Sequence, residues 1–128
     1  MSPLFKRRKW VLKRPVKATI IKDATDAILT KRLYLNPRTR CIDVAKAIGT
    51  NRTYIWEALR WRGLGFQEFM GQFRIRYFIE KAPEFLGLST AEIAQRCGFG
   101  DVRSFHRYLK KMFGMTPTEY MDVIARGL

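Results

Sequence analysis

The sequence predicts an all-α chain of seven helices, in two similar units joined by one long linker helix. Three observations carry that expectation. Apolar residues recur at three- and four-residue spacing, and no segment sustains the alternation of a strand. Roughly the last 90 residues state one pattern twice. Asp43-Val44-Ala45, Ile48-Gly49, Asn51, Ile55, Leu59, Gly63, Glu68 and Phe69 are matched by Glu92-Ile93-Ala94, Cys97-Gly98, Asp101, Phe105, Leu109, Gly114, Glu119 and Tyr120. The offset grows from 49 at the alanines to 51 at Phe69 and Tyr120, the mark of a duplicated unit with small loop insertions. Finally, helix-start and helix-stop residues fall at the ends of the apolar stretches.

The elements follow in order. Residues 1–22 hold eight Lys or Arg and no acid, and Pro3 and Pro15 interrupt them, so residues 1–21 read as a flexible basic arm. Ala24, Ala27, Ile28 and Leu33 predict a first helix over 22–34, stopped by Asn36-Pro37. Residues 42–48 form a short helix that ends at Gly49. Asn51 caps the next, which runs to about residue 62 before Gly63-Leu64-Gly65 breaks the chain. The linker helix covers 66–81, with Phe69, Phe73 and Tyr77 toward the core. Ser89-Thr90-Ala91-Glu92 has capping-box spacing, in which hydroxyl and carboxylate each satisfy a free N–H of the first turn. The helix it opens ends at Gly98, and Asp101 caps another to residue 113. Thr116-Pro117-Thr118-Glu119 is a second capping box, with Pro117 where its missing N–H costs nothing. The units are therefore 22–64 and 84–128, with the linker over 65–83.

Each unit has the requirements of a helix-turn-helix. A small residue, Ala45 or Ala94, suits a steep helix crossing. Four residues later Gly49 or Gly98 supplies the turn. Ile55, Ala58 and Leu59 pin the second helix of the first copy, as Phe105, Leu109 and Met112 do in the second. The run Ile93-Ala94-Gln95-Arg96-Cys97-Gly98-Phe99, then Ser104-Phe105-His106-Arg107-Tyr108-Leu109-Lys110-Lys111, then Gly114-Met115-Thr116-Pro117-Thr118-Glu119-Tyr120 resembles the AraC/XylS family of bacterial transcription regulators. The resemblance covers roughly residues 22–126 and is sharper in the second unit. It implies two homeodomain-like helix-turn-helix subdomains that bind promoter DNA, often in contact with RNA polymerase. Residues 1–21 have no counterpart there, and Cys97 and Trp56-Glu57 depart from the usual pattern.

Recognition helices at about 51–62 and 101–113 present one face to the core and the other to the major groove. Arg103 and Arg107 are about 40° apart around the helix axis, so they share an outer face. An arginine can fork its hydrogen bonds to guanine O6 and N7, which makes this pair the leading base-contact candidates. Val102 and Ser104 beside them are further base-contact candidates, Val102 against a thymine methyl. In the first copy Thr53, Trp56, Glu57 and Arg60 share the outer face. Thr53 and Trp56 are base candidates, and Glu57 can either accept from cytosine N4 or pair with Arg60 or Arg62. Arg52, Arg60, Lys46, Arg96, Lys110 and Lys111 suit phosphates, which set register rather than sequence. Trp61 is expected against the linker helix, and His106 at the surface or against backbone.

The bulk numbers agree with a polyanionic partner: 25 Lys and Arg against 11 Asp and Glu give +14. Cys41 and Cys97, in what read as comparable places of the two copies, are expected to be buried thiols. No metal, cofactor or active site is expected, because there is one His and no placed nucleophile. Double-stranded DNA is the expected partner, with RNA polymerase a second one. The protein is expected in the cytoplasm, on the nucleoid, binding as a monomer or as a dimer through a domain absent from this chain. Two other classes fit the charge: a low-specificity architectural binder, and the DNA-binding part of a longer membrane-linked regulator.

Overall fold

The computed structural model describes residues 12–127. Among them the chain forms seven α-helices and two short 3₁₀ turns. Helix α1 (Arg14–Thr30) begins eight residues earlier than the sequence reading placed it. Pro15 does not break it, because a proline in the first turn gives up only an N–H that has no helical partner. Ile20, Ala24 and Ile28, four apart, are its buried stripe. Residues 14–21 are thus part of the first unit rather than of an arm, and the arm's residues 1–11 lie outside the described residues. The helix also stops short of Tyr34. Arg32 turns left-handed at φ 54°, and Leu33–Leu35 make a 3₁₀ turn.

The remaining helices fall close to their predicted bounds. Helices α2 (Cys41–Ile48) and α3 (Arg52–Trp61) complete the first unit with α1. Helix α4 (Phe66–Lys81) is the linker, followed by the 3₁₀ turn Ala82–Phe85. Helices α5 (Thr90–Arg96), α6 (Val102–Phe113) and α7 (Pro117–Ala125) form the second unit. Both expected capping boxes are present, at Ser89/Glu92 and Thr116/Glu119. Asn51 and Asp101 each accept a hydrogen bond from a first-turn amide, that of Tyr54 (2.9 Å) and Ser104 (2.6 Å). The two turns close alike as well. Thr50 N–H donates to Ala45 O and Phe99 N–H to Ala94 O, both at 2.9 Å, across left-handed Gly49 and Gly98.

Two apolar cores lie along α4. Its first half, Phe66, Phe69, Met70 and Phe73, packs with Ile20, Ala24, Ile28, Tyr34, Val44, Ala45, Ile55, Ala58 and Leu59. Its second half, Ile75 and Phe78, packs with Phe85, Ile93, Ala94, Cys97, Phe99, Phe105 and Leu109. Phe105 meets Phe78 edge-on at 4.9 Å between centroids and stacks on Phe99 at 5.3 Å. Burying such a side chain contributes about 1.5–3 kcal/mol, so these residues hold α6 in place. The cysteines do not correspond as expected. Cys97 is buried at the end of α5, where burial pushes its thiol up to about 12, whereas Cys41 is half-buried at the start of α2. Met112 is exposed at the end of α6, so Phe105 and Leu109 pin that helix without it.

The sequence repeat equates Gly49 with Gly98, but their surroundings differ. Both have positive φ. A side chain at Gly49 would meet nothing within 4 Å, whereas one at Gly98 would lie 2.1 Å from the Tyr34 carbonyl oxygen and 2.8 Å from Leu35 Cα. Gly49→Ala is therefore expected to lose only the left-handed preference, about 1–2 kcal/mol. Gly98→Ala must also push the first unit's backbone away and should lose more. Thermal or urea melts of both variants check this, and equal losses would show that the contact at Gly98 relaxes freely.

Candidate nucleic-acid interface

The exposed surface of α6 lies opposite fully buried Phe105 and Leu109. Arg103 and Arg107 are both exposed there, while Val102 and Ser104 are half-buried. The Arg107 guanidinium lies over the Tyr108 ring, 5.0 Å from its centroid, an arrangement that restrains a long side chain. Asp101 caps the helix beside them. Its carboxyl is held below the usual range first by the hydrogen bond from Ser104 N–H, and further by the charges of Arg103 and Arg107. The cap therefore stays ionised and keeps the first turn of α6 closed at neutral pH. Lys110 is exposed and its ammonium donates to Gly114 O at 3.3 Å. Lys111 is exposed and forms an ion pair with Glu68 of α4.

On α3, Thr53, Arg60 and Arg52 are exposed, and Trp56 is exposed over 60% of its surface. A tryptophan left this open, on the face opposite buried Ile55, Ala58 and Leu59, is not part of either core of the described residues. It borders a cleft of about 560 Å³ with Arg40, Cys41, Leu59, Arg60 and Phe66. Glu57 is half-buried on α3. Its Oε2 accepts the Leu12 N–H at 2.7 Å, which ties the residues just before α1 to α3, and no ion pair with Arg60 or Arg62 is formed among the described residues. Trp61 is 38% exposed, with the Arg62 guanidinium 5.1 Å from its ring centroid. Lys46 on α2 and Arg96 on α5 are exposed, and His106 is half-buried.

Helix α6 crosses α4 where Gly71 leaves room for it: a Cβ there would touch the Tyr108 ring at 3.0 Å. One turn further along α4, the side chain of Arg74 is buried. Its Nε donates to Tyr34 O at 2.8 Å and its Nη2 to Asn36 O at 3.2 Å, while its guanidinium carbon lies 5.9 Å from the Phe99 centroid. Sequence reasoning missed this residue. The available signal was position: Arg74 falls four residues after Met70 and four before Phe78, in the linker's buried stripe.

With this geometry in view, the comparisons with known proteins decide the family. A helix-turn-helix domain family matches residues 44–122, from within α2 to within α7. The chain belongs to the AraC-type helix-turn-helix family of DNA-binding transcription regulators. It is 32% identical over 88 residues to the TCP pilus virulence regulatory protein of Vibrio cholerae, covering 67% of this chain and 31% of that protein. It is 29% identical over 92 residues to the Msm operon regulatory protein of Streptococcus mutans, 69% of this chain and 32% of that protein. The chain thus spans about a third of the length of these relatives. The crystal structure of the C-terminal domain of the two-component response regulator yesN from Fusobacterium nucleatum superposes with a TM-score of 0.55 at 26% identity, over 73% of this chain and 90% of that one. Among the described residues no helix is long and apolar enough to cross a membrane.

For this AraC-type domain, Arg103→Ala and Arg107→Ala are each expected to lose about 1–3 kcal/mol on the cognate site and to relax preference at the adjoining bases. Competition titrations with single-base variants measure both effects. Equal losses on cognate and random DNA would reassign the two arginines to phosphate contact.

Proposed function

We propose that this chain binds duplex DNA sequence-specifically, with α3 and α6 in two successive major grooves on one face, and that it regulates transcription. The observation that carries the reading is the pairing of a fully buried side, Phe105 and Leu109, with two exposed arginines on the opposite side of α6. Arg103 and Arg107 read bases, assisted by Val102 and Ser104. Thr53 and Trp56 read them from α3, the indole against a thymine methyl or a sugar. Arg52, Arg60, Lys46, Arg96 and Lys110 take phosphates. RNA polymerase is the second partner.

The two units are related by tandem repetition rather than by a two-fold axis, so one chain reads a site with no palindromic symmetry. Helix α4, 16 residues at 1.5 Å each, is about 24 Å long. With part of a unit at either end, this suits groove centres one turn apart, ~34 Å. The charge of +14 favours a second reading, an architectural binder with little sequence preference. Selection from random DNA separates the two. The regulator reading expects an asymmetric two-part motif bound about 10³-fold or more above random sequence. Enrichment of no motif, with near-equal affinity for all duplexes, would favour the architectural reading and sink the first.

A further inference from the structure

The two units touch each other directly, beside the helix that links them. The segment after α1 carries Tyr34, Leu35 and Asn36 to the turn of the second unit, where Gly98 lies against the Tyr34 carbonyl. Arg74 spans the same seam from α4, holding the Tyr34 and Asn36 carbonyls on one side and facing the Phe99 ring on the other. Across α4, Tyr108 sits on Gly71 and Lys111 pairs with Glu68. Arg74 also stands between the cores in sequence: Phe73 belongs to the first and Ile75 to the second. Nothing in the recognition of bases requires this seam. A helix alone would join the units, but an inter-unit contact also fixes how each is rotated about it.

We infer that Arg74 is a positioning residue that sets the spacing and phase of the two half-sites on DNA. This rests on the reading that both units enter major grooves. The reason lies in helix geometry. One inserted base pair moves a half-site by about 3.4 Å along the duplex and roughly 35° around it. Two units free to swivel on α4 would follow such a change with little loss. Two units locked at the Tyr34–Arg74–Phe99 seam could not, because their recognition helices move as one body. Lysine at this position can reach one carbonyl but has no planar fork to hold two at once.

The experiment measures affinity for the selected site and for versions with one or two base pairs added or removed between its halves. It uses the full chain as wild type, Arg74→Met and Arg74→Lys, with circular dichroism to verify folding. The wild type should lose on the order of tenfold in affinity per base pair of altered spacing. Both variants should bind the native spacing more weakly and lose only a few-fold more on the altered ones, so that the spacing profile flattens. A general loss of stability would weaken every duplex by the same factor and leave the profile's shape unchanged. Variants with the wild-type profile would therefore overturn the inference. If Arg74→Met does not fold, Arg74→Lys decides it. A wild-type profile that is itself flat would count against two-groove binding, and so against the reading on which this inference rests.

Discussion

A guanidinium cannot be buried without oxygen atoms to meet its N–H groups, and the arrangement of this domain follows from how Arg74 meets that requirement. Desolvation pulls its pKa below the usual value, yet an arginine remains charged in a protein. No carboxylate answers the charge in the ion pairs of the described residues. Backbone carbonyls of Tyr34 and Asn36 do so instead, and they are free to because the chain there is a 3₁₀ turn and a loop rather than a continuing helix. Thr39, also buried, ties the same loop by donating from its hydroxyl to Leu33 O at 2.8 Å. A loop held this way presents its backbone to the second unit, and only a residue without a side chain, Gly98, can approach it. One buried cation therefore ties together the loop after α1, the linker helix and the turn of the second unit.

The duplication gives both units the same local chemistry while their surfaces diverge. Caps, crossing alanines and left-handed glycines repeat, because a helix-turn-helix needs them wherever it sits. What α3 and α6 present does not repeat. Helix α3 carries an open tryptophan and gives its one carboxylate to the Leu12 amide, whereas α6 carries two arginines and ties a lysine back to α4. Two different surfaces on a tandem frame suit an asymmetric target, and the linker's burial in both cores keeps the frame from acting as two independent modules.

Much of this was legible in the sequence because it is local. Capping boxes, glycines at turns and the buried faces of α3 and α6 depend on residues within one or two turns of each other, and each lies where the pattern put it. The misreadings have long-range causes or turn on position within a helix. Pro15 in sequence suggests a break, although in a first turn a proline starts a helix as well as it ends one. Met112 fits the apolar stripe of α6, but the second core ends before reaching it. Glu57 is on the outer face, as spacing requires, yet its partner lies 45 residues away at Leu12. Arg74 looked like one more basic residue of a basic chain, and only the meeting of three distant segments shows why it is inside.

The central claim is that a single protomer places two rigidly related recognition helices in adjacent major grooves. Hydroxyl-radical footprinting of the selected site, at protein-to-DNA ratios calibrated by mass, tests it most directly. The account predicts saturation at one protomer per duplex, with protection on one face in two patches about one helical turn, ~34 Å, apart. A single protected patch at that stoichiometry, or two patches that fill only when a second protomer binds, would contradict it.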